Sequence, residues 1–134
     1  MSVARLARLL RQQDDSGLSA TLTSALVTIA RDGPVTLGEL ASRERVAPPS
    51  ITRVVAKLEA RGLVERTVDD RDRRVNRVAI SAEGRHQLEA SRTRRTAWLV
   101  TRLVELPAED LARVAEILPI LDALAEADEI GSGH

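Results

Sequence analysis

The 134-residue chain reads as a single domain, and its 43% hydrophobic and 30% charged residues exclude both a disordered polar chain and a lipid-embedded one. Twenty basic and twenty acidic residues cancel, which excludes polyanion binding by bulk charge and leaves room for a local basic face. There is no cysteine for disulfides or thiolate sites, only His86 and His134 for a histidine site, and a single aromatic, Trp98, for stacking single-stranded nucleic acid, so no metal and no cofactor is expected.

Along the chain, Val3, Leu6, Ala7, Leu9 and Leu10 recur near helical spacing until Asp14-Asp15-Ser16-Gly17 breaks the run, which predicts a first helix. Ser19 can cap a second helix, where Leu22, Ala25, Leu26 and Ile29 form one stripe before Asp32-Gly33-Pro34 stops it. Thr36-Leu37-Gly38-Glu39 is a capping box that opens a short third helix with Leu37, Leu40 and Ala41 facing inward, ending near Arg45. Pro48 and Pro49 then stand where a first helical turn has no use for amide donors. The helix they start runs to Arg61, with Gly62 as a left-handed C-cap. Ile51, Val54, Val55 and Leu58 make its apolar stripe, while Ser50, Arg53 and Lys57 lie opposite with Thr52 and Ala56 at the edge.

Leu63–Val68 and Val75–Ile80 are β-branched and roughly alternating, which predicts a hairpin whose tip is Asp69-Asp70-Arg71-Asp72-Arg73-Arg74. Ser81 can cap a long helix carrying Leu88, Trp98, Leu99, Leu103 and Leu106, with a basic middle at Arg92-Thr93-Arg94-Arg95. Pro107 restarts a helix in which Leu111, Val114, Leu118 and Leu121 follow the spacing of a helix–helix seam, and Pro119 is expected to kink or open it. Charge segregates along this order: residues 53–77 hold eight bases and five acids, whereas 105–134 hold eight acids and one base. Such asymmetry fits either a polyanion-binding face beside an acidic one or two ordinary solvated faces. No apolar run reaches the roughly 18–20 residues that span a bilayer and Met1–Arg5 opens no signal peptide, so no membrane partner and a cytoplasmic location are expected.

The fold class expected is mainly α with a small β-hairpin, in a winged helix-turn-helix layout. A helix fits the major groove of duplex DNA, whose base edges are read by short polar and basic side chains near the helix N-terminus. Ser50, Thr52, Arg53 and Lys57 are such side chains, Arg53 suits a bidentate contact to guanine, and Pro49 or Thr52 can touch a thymine methyl. Arg71, Arg73 and Arg74 at the hairpin tip can enter an adjacent minor groove, where negative potential favours arginine. The acids beside them are read as local partners, with Asp72 presenting Arg74 in a fixed pose; a calcium loop would need a glycine and a terminal glutamate that the run lacks.

Four stretches, Pro34–Ala41, Ser50–Arg66, Asp72-Arg73-Arg74 and Ile80-Ser81-Ala82-Glu83-Gly84, resemble in order and spacing the MarR family of bacterial transcriptional regulators. The resemblance is close over about residues 20–86 and extends to the flanking helices in placement only. It implies a homodimer that binds a pseudo-palindromic operator, most often as a repressor, and releases it when a small phenolic or anionic effector binds. It also implies DNA contact by the recognition helix and by Arg74. The winged part is expected over 18–84, the helical dimerisation part over 1–16 and 85–128, and a flexible tail over 129–134. The residues agree independently: Val3, Leu6, Leu10, Leu111, Val114, Leu118 and Leu121 need an apolar partner that a chain this size can hardly supply. An effector pocket lined by Leu10, Leu18 and Leu22, with Arg8 or Arg11 as anion partners, is expected between the two parts.

Two features depart from the family: without cysteine there is no thiol-based peroxide sensing, and with Trp98 as the single aromatic no aromatic-lined phenol pocket is expected. Trp98 reads as core or interface packing and His86 as a surface residue. No nucleophile–base pair or glycine-rich phosphate loop points to an enzyme. The rival reading is a winged helix used for protein–protein contact, which would need no basic recognition stripe; a metal-sensing repressor is disfavoured by the lack of cysteine and histidine.

Overall fold

The computed structural model describes residues 1–14 and 16–130. In chain order the elements are α1 (Ser2–Gln12), α2 (Ala20–Asp32), β1 (Val35–Thr36), α3 (Leu37–Glu44), α4 (Pro48–Ala60), β2 (Val64–Val68), β3 (Asn76–Ile80), α5 (Ala82–Leu103) and α6 (Ala108–Ile130). The expected fold class holds: the chain is mostly helical with one small antiparallel sheet. The chain divides into two compact units, residues 1–95 and 96–134, with the division falling inside α5.

The capping signals act as the sequence indicates. Ser19 Oγ accepts the Leu22 amide hydrogen at 3.2 Å, and at α3 the Thr36 hydroxyl accepts from the Glu39 amide at 3.1 Å while Glu39 accepts from the Thr36 amide at 3.3 Å. Pro48 and Pro49 occupy the first turn of α4, and Gly62 follows it at φ +71°, the left-handed conformation that glycine adopts without strain. Ser81 Oγ accepts from the Gly84 amide at 3.0 Å to start α5 and donates back to the Gly62 carbonyl at 2.6 Å, which ties the exit of α4 to the entry of α5.

The sheet has three strands where the sequence predicts two. Val35–Thr36 pairs with β3, with Val35 opposite Val78, and the order is β1-β3-β2. A two-residue strand carries no period to detect, and only the return of β3 creates it. In the hairpin the register runs from Val64 opposite Ile80 to Val68 opposite Asn76. The core of the first unit gathers Leu22, Ala25, Leu26 and Ile29 of α2, Leu40 and Ala41 of α3, Ile51, Val55 and Leu58 of α4, and Val35, Val64 and Val78 of the sheet. Each helix contributes its periodic apolar stripe, so α4 is anchored from one side and keeps the other free. Ser24 and Thr28 of α2 both donate to the Glu44 carboxylate at the end of α3, a polar clamp across that helix pair.

In the second unit, α6 runs helical from Ala108 to Ile130 through Pro119 rather than breaking there. Proline removes this helix's bond to the Ala115 carbonyl, and its ring crowds that same carbonyl. The tail expected from residue 129 is helical through Ile130, and residues 131–134 lie outside the described residues. No described helix is long and apolar enough to cross a membrane.

Candidate nucleic-acid interface

α4 buries Ile51, Val55 and Leu58 at 1% exposure or less, and the helical period therefore turns Pro49, Ser50, Thr52, Arg53 and Lys57 outward, all of them exposed. The Thr52 hydroxyl donates to the Pro48 carbonyl at 3.0 Å, which stiffens the exposed first turn and leaves its methyl as the part suited to contact. An ion pair between Arg66 of β2 and Glu59 of α4 fixes the hairpin against this helix. The stripe and the hairpin thus belong to one unit with a shared core.

The loop between β2 and β3 is ordered by its own acids. Asp72 accepts from the Arg74 amide at 3.0 Å and from the Arg74 guanidinium through a fork, Nε to Oδ1 at 3.1 Å and Nη2 to Oδ2 at 3.2 Å. A guanidinium has five N–H donors, so this fork leaves three for another acceptor. The Arg74 side chain is 90% exposed, fixed at its base and open at its face. The Arg74 side chain and backbone amide hold the Asp72 carboxyl below its ordinary value.

Asp69 is a site residue that the sequence reading did not single out. Its Oδ1 accepts from the amides of Arg71 at 2.8 Å and Asp72 at 3.4 Å, and its Oδ2 accepts from Arg77 Nε at 3.2 Å. The Arg71 amide first, and then the Arg77 side chain, lower its pKa from the ordinary value. Arg77 also lies 3.7 Å from Glu39 of α3, so one arginine links the hairpin loop to the helix before α4. The partners of Asp69 are two, three and eight residues away; an Asx turn is legible in Asp69-Asp70-Arg71, but the reach to Arg77 depends on the strand register. Arg71 and Arg73 are exposed beside Arg74.

Elsewhere in the same unit, a cleft of about 390 Å³ is lined by Arg8, Arg11, Gln12, Asp14, Leu18, Thr23, Ser24 and Arg95 among others. Of the residues expected around an effector, Arg8, Arg11 and Leu18 line it. Leu10 and Leu22 do not: Leu22 lies on the inward stripe of α2 and is core, 6% exposed. The basic middle of α5 is also more than a solvated face, since Arg94 pairs with Asp14 at 3.1 Å. Burial pushes the Asp14 carboxyl up, but hydrogen bonds from Ser91, Ser16 and Arg94 outweigh it and the net shift is downward.

A three-helix core with an exposed polar and basic helix stripe and an arginine-tipped hairpin defines a winged helix-turn-helix protein. A family model for MarR, described as the MarR family, matches residues 18–75. The uncharacterized HTH-type transcriptional regulator ML2140 of Mycobacterium leprae (strain TN) is 42% identical over 127 residues, covering 91% of this chain and 89% of its own. The HTH-type transcriptional repressor MdtR of Bacillus subtilis (strain 168) is 28% identical, over 90% of this chain and 78% of its own. Among solved structures, the transcriptional regulator Tm0710 from Thermotoga maritima superposes with a TM-score of 0.76 at 25% identity, covering 94% of this chain and 92% of its own. The chain belongs to the MarR family. It is a transcriptional regulator of MarR type, not an enzyme.

Proposed function

We propose that this regulator is a cytoplasmic homodimer that binds a pseudo-palindromic duplex operator as a repressor, and that a small anionic effector releases it. The observation that carries this reading is the pairing of two exposed cationic devices on one core: Arg53 and Lys57 on the free face of α4, and the Asp72-held fork of Arg74 on the wing. Ser50, Thr52 and Arg53 read base edges in the major groove, with Pro49 or Thr52 against a thymine methyl. Arg71, Arg73 and Arg74 reach the flanking minor groove, where a narrow A·T-rich groove concentrates negative potential. The winged part, 18–84, performs this recognition; 1–16 and 85–128 hold two copies together.

The dimer is supported by apolar surface that would otherwise face water. Val3 is 69% exposed and Leu6 44% on α1, while on α6 Leu111, Ile117, Leu118, Ile120, Leu121 and Leu124 are all exposed. A dimer would set two recognition helices about one turn of DNA apart. The repressor sign follows the relative named a repressor, MdtR. The effector is assigned to the cleft of Arg8, Arg11 and Leu18, whose arginines suit a carboxylate.

Selection of bound sequences from a random duplex library at near-physiological salt tests this reading. A two-fold symmetric motif with half-sites about one helical turn apart is the expected result. Recovery of no motif from a folded dimer would favour the winged helix as a protein-contact module. Affinity for the selected site should also fall steeply with salt, because several phosphates are neutralised.

A further inference from the structure

A second concavity lies on the other elements of the first unit, a groove of about 590 Å³ between α2 and the N-terminal half of α5. Its floor is aliphatic: Val27 and Ala30 of α2 and Leu88 of α5, with Val27 42% exposed. Along its rim stand Arg85, Arg92 and Arg95, which at about 1.5 Å per residue form a row roughly 15 Å long on one helix face. None of these three side chains has a hydrogen bond or ion pair among the described residues, and Arg95 is half-buried. Arg31, already paired with Asp32, stands across the groove, and Glu89 is the one carboxylate in its lining.

We infer that this groove binds an aliphatic anion, a medium-chain carboxylate or phosphate ester whose head is held by Arg85, Arg92 and Arg95 and whose chain lies on Val27, Ala30 and Leu88. The charge decides the head group. Three like charges along one helix face repel one another, and a half-buried cation with no side-chain partner among the described residues is costly, so an anion relieves both. The lining decides the tail, because no aromatic ring is present to stack a planar ligand, whereas buried methylenes gain about 0.8 kcal/mol each. The volume falls within the usual range for small-molecule sites, about 300–1,000 Å³. Arg95 also lines the cleft beside Arg8 and Arg11, so the two cavities share one cation. An anion drawn to Arg95 from the groove withdraws it from the cleft, and ligands of the two cavities antagonise each other.

Decanoate, below its micellar concentration, is the probe, titrated calorimetrically into the full chain without DNA, with decyltrimethylammonium as the control of opposite charge. Expected is saturable binding of one decanoate per chain, no binding of the cation, and a loss of at least tenfold in affinity for Arg85→Gln and Arg92→Gln, both surface positions on α5. Equal binding of both amphiphiles would overturn the inference, since it would show apolar adsorption alone. Loss of binding in Arg11→Gln with Arg92→Gln unaffected would overturn it too, by placing the anion in the other cleft. So would absence of decanoate binding with a change in sedimentation mass for Arg92→Glu, which would assign the groove to an acidic helix of a second copy. The titration contains no DNA, so its failure leaves the operator-binding reading untouched.

Discussion

At the scale of single residues, the side chains proposed to specify DNA are distinct from those that support the fold. Arg53 sits on the free face of α4, exposed and outside the core, so Arg53→Ala should leave the unfolding temperature within a degree or two and weaken specific duplex binding by about 1–3 kcal/mol. Competition against duplexes altered at single positions checks this. A loss equal on every sequence would remove the base-reading role. Gly84 is a supporting case: a Cβ there would stand 2.2 Å from the Leu63 carbonyl oxygen and 2.7 Å from Ile80 Cγ1. A carbonyl in a paired strand region cannot retreat cheaply, so Gly84→Ala should destabilise the winged unit by about 1–3 kcal/mol, measured by denaturant unfolding. An unchanged midpoint would mean that α5 shifts freely at its start.

At the scale of elements, the wing is the part whose order is electrostatic rather than hydrophobic. Val68 is 55% exposed and the loop beyond it has no buried side chain, so its shape rests on Asp69 and Asp72. Asp69→Ala should speed amide exchange at Arg71 and Asp72 and lower specific duplex affinity several-fold while the core stays intact. Unchanged exchange would show that the Asp69–Val75 backbone bond suffices. Acid should act on the same element. Both carboxyls titrate below their ordinary value, so the folded wing binds its protons less readily than the unfolded chain and gains order as pH rises. That gain is complete above about pH 4 and is lost as pH falls through the lowered values. The Arg74 Nε proton resonance, followed from pH 6 to pH 2, should broaden only below about pH 4; broadening near neutrality would point to a different group.

At the scale of the whole molecule, the exposed apolar surface of α1 and of α6 is the feature on which the proposed dimer rests. Leu118 is 49% exposed on a helix whose apolar residues extend past a narrow seam to Ile117, Ile120 and Leu124. Leu118→Asp would bury an unpaired carboxylate in the proposed interface and should shift sedimentation from dimer to monomer while the winged unit stays folded. A dimer that survives the change places the interface elsewhere.

Most of the architecture is legible in the chain because local signals coincide with tertiary ones. The Ser19 cap, the Thr36–Glu39 box, the two prolines opening α4 and the stripe of Ile51, Val55 and Leu58 each act within a few residues, and packing reinforces every one. The Asp72–Arg74 pair is legible for the same reason, two residues apart on one turn. What escapes are features that depend on distant segments meeting. β1 exists only because β3 returns beside Val35, Arg77 reaches Glu39 only across that sheet, and Asp14 finds Arg94 eighty positions away. Leu22 lies in the core with Ala25, Leu26 and Ile29, as the period of α2 indicates, and not at the pocket expected of it. Periodicity says that a face is buried; only the assembled fold decides which neighbours bury it and which cavities they leave.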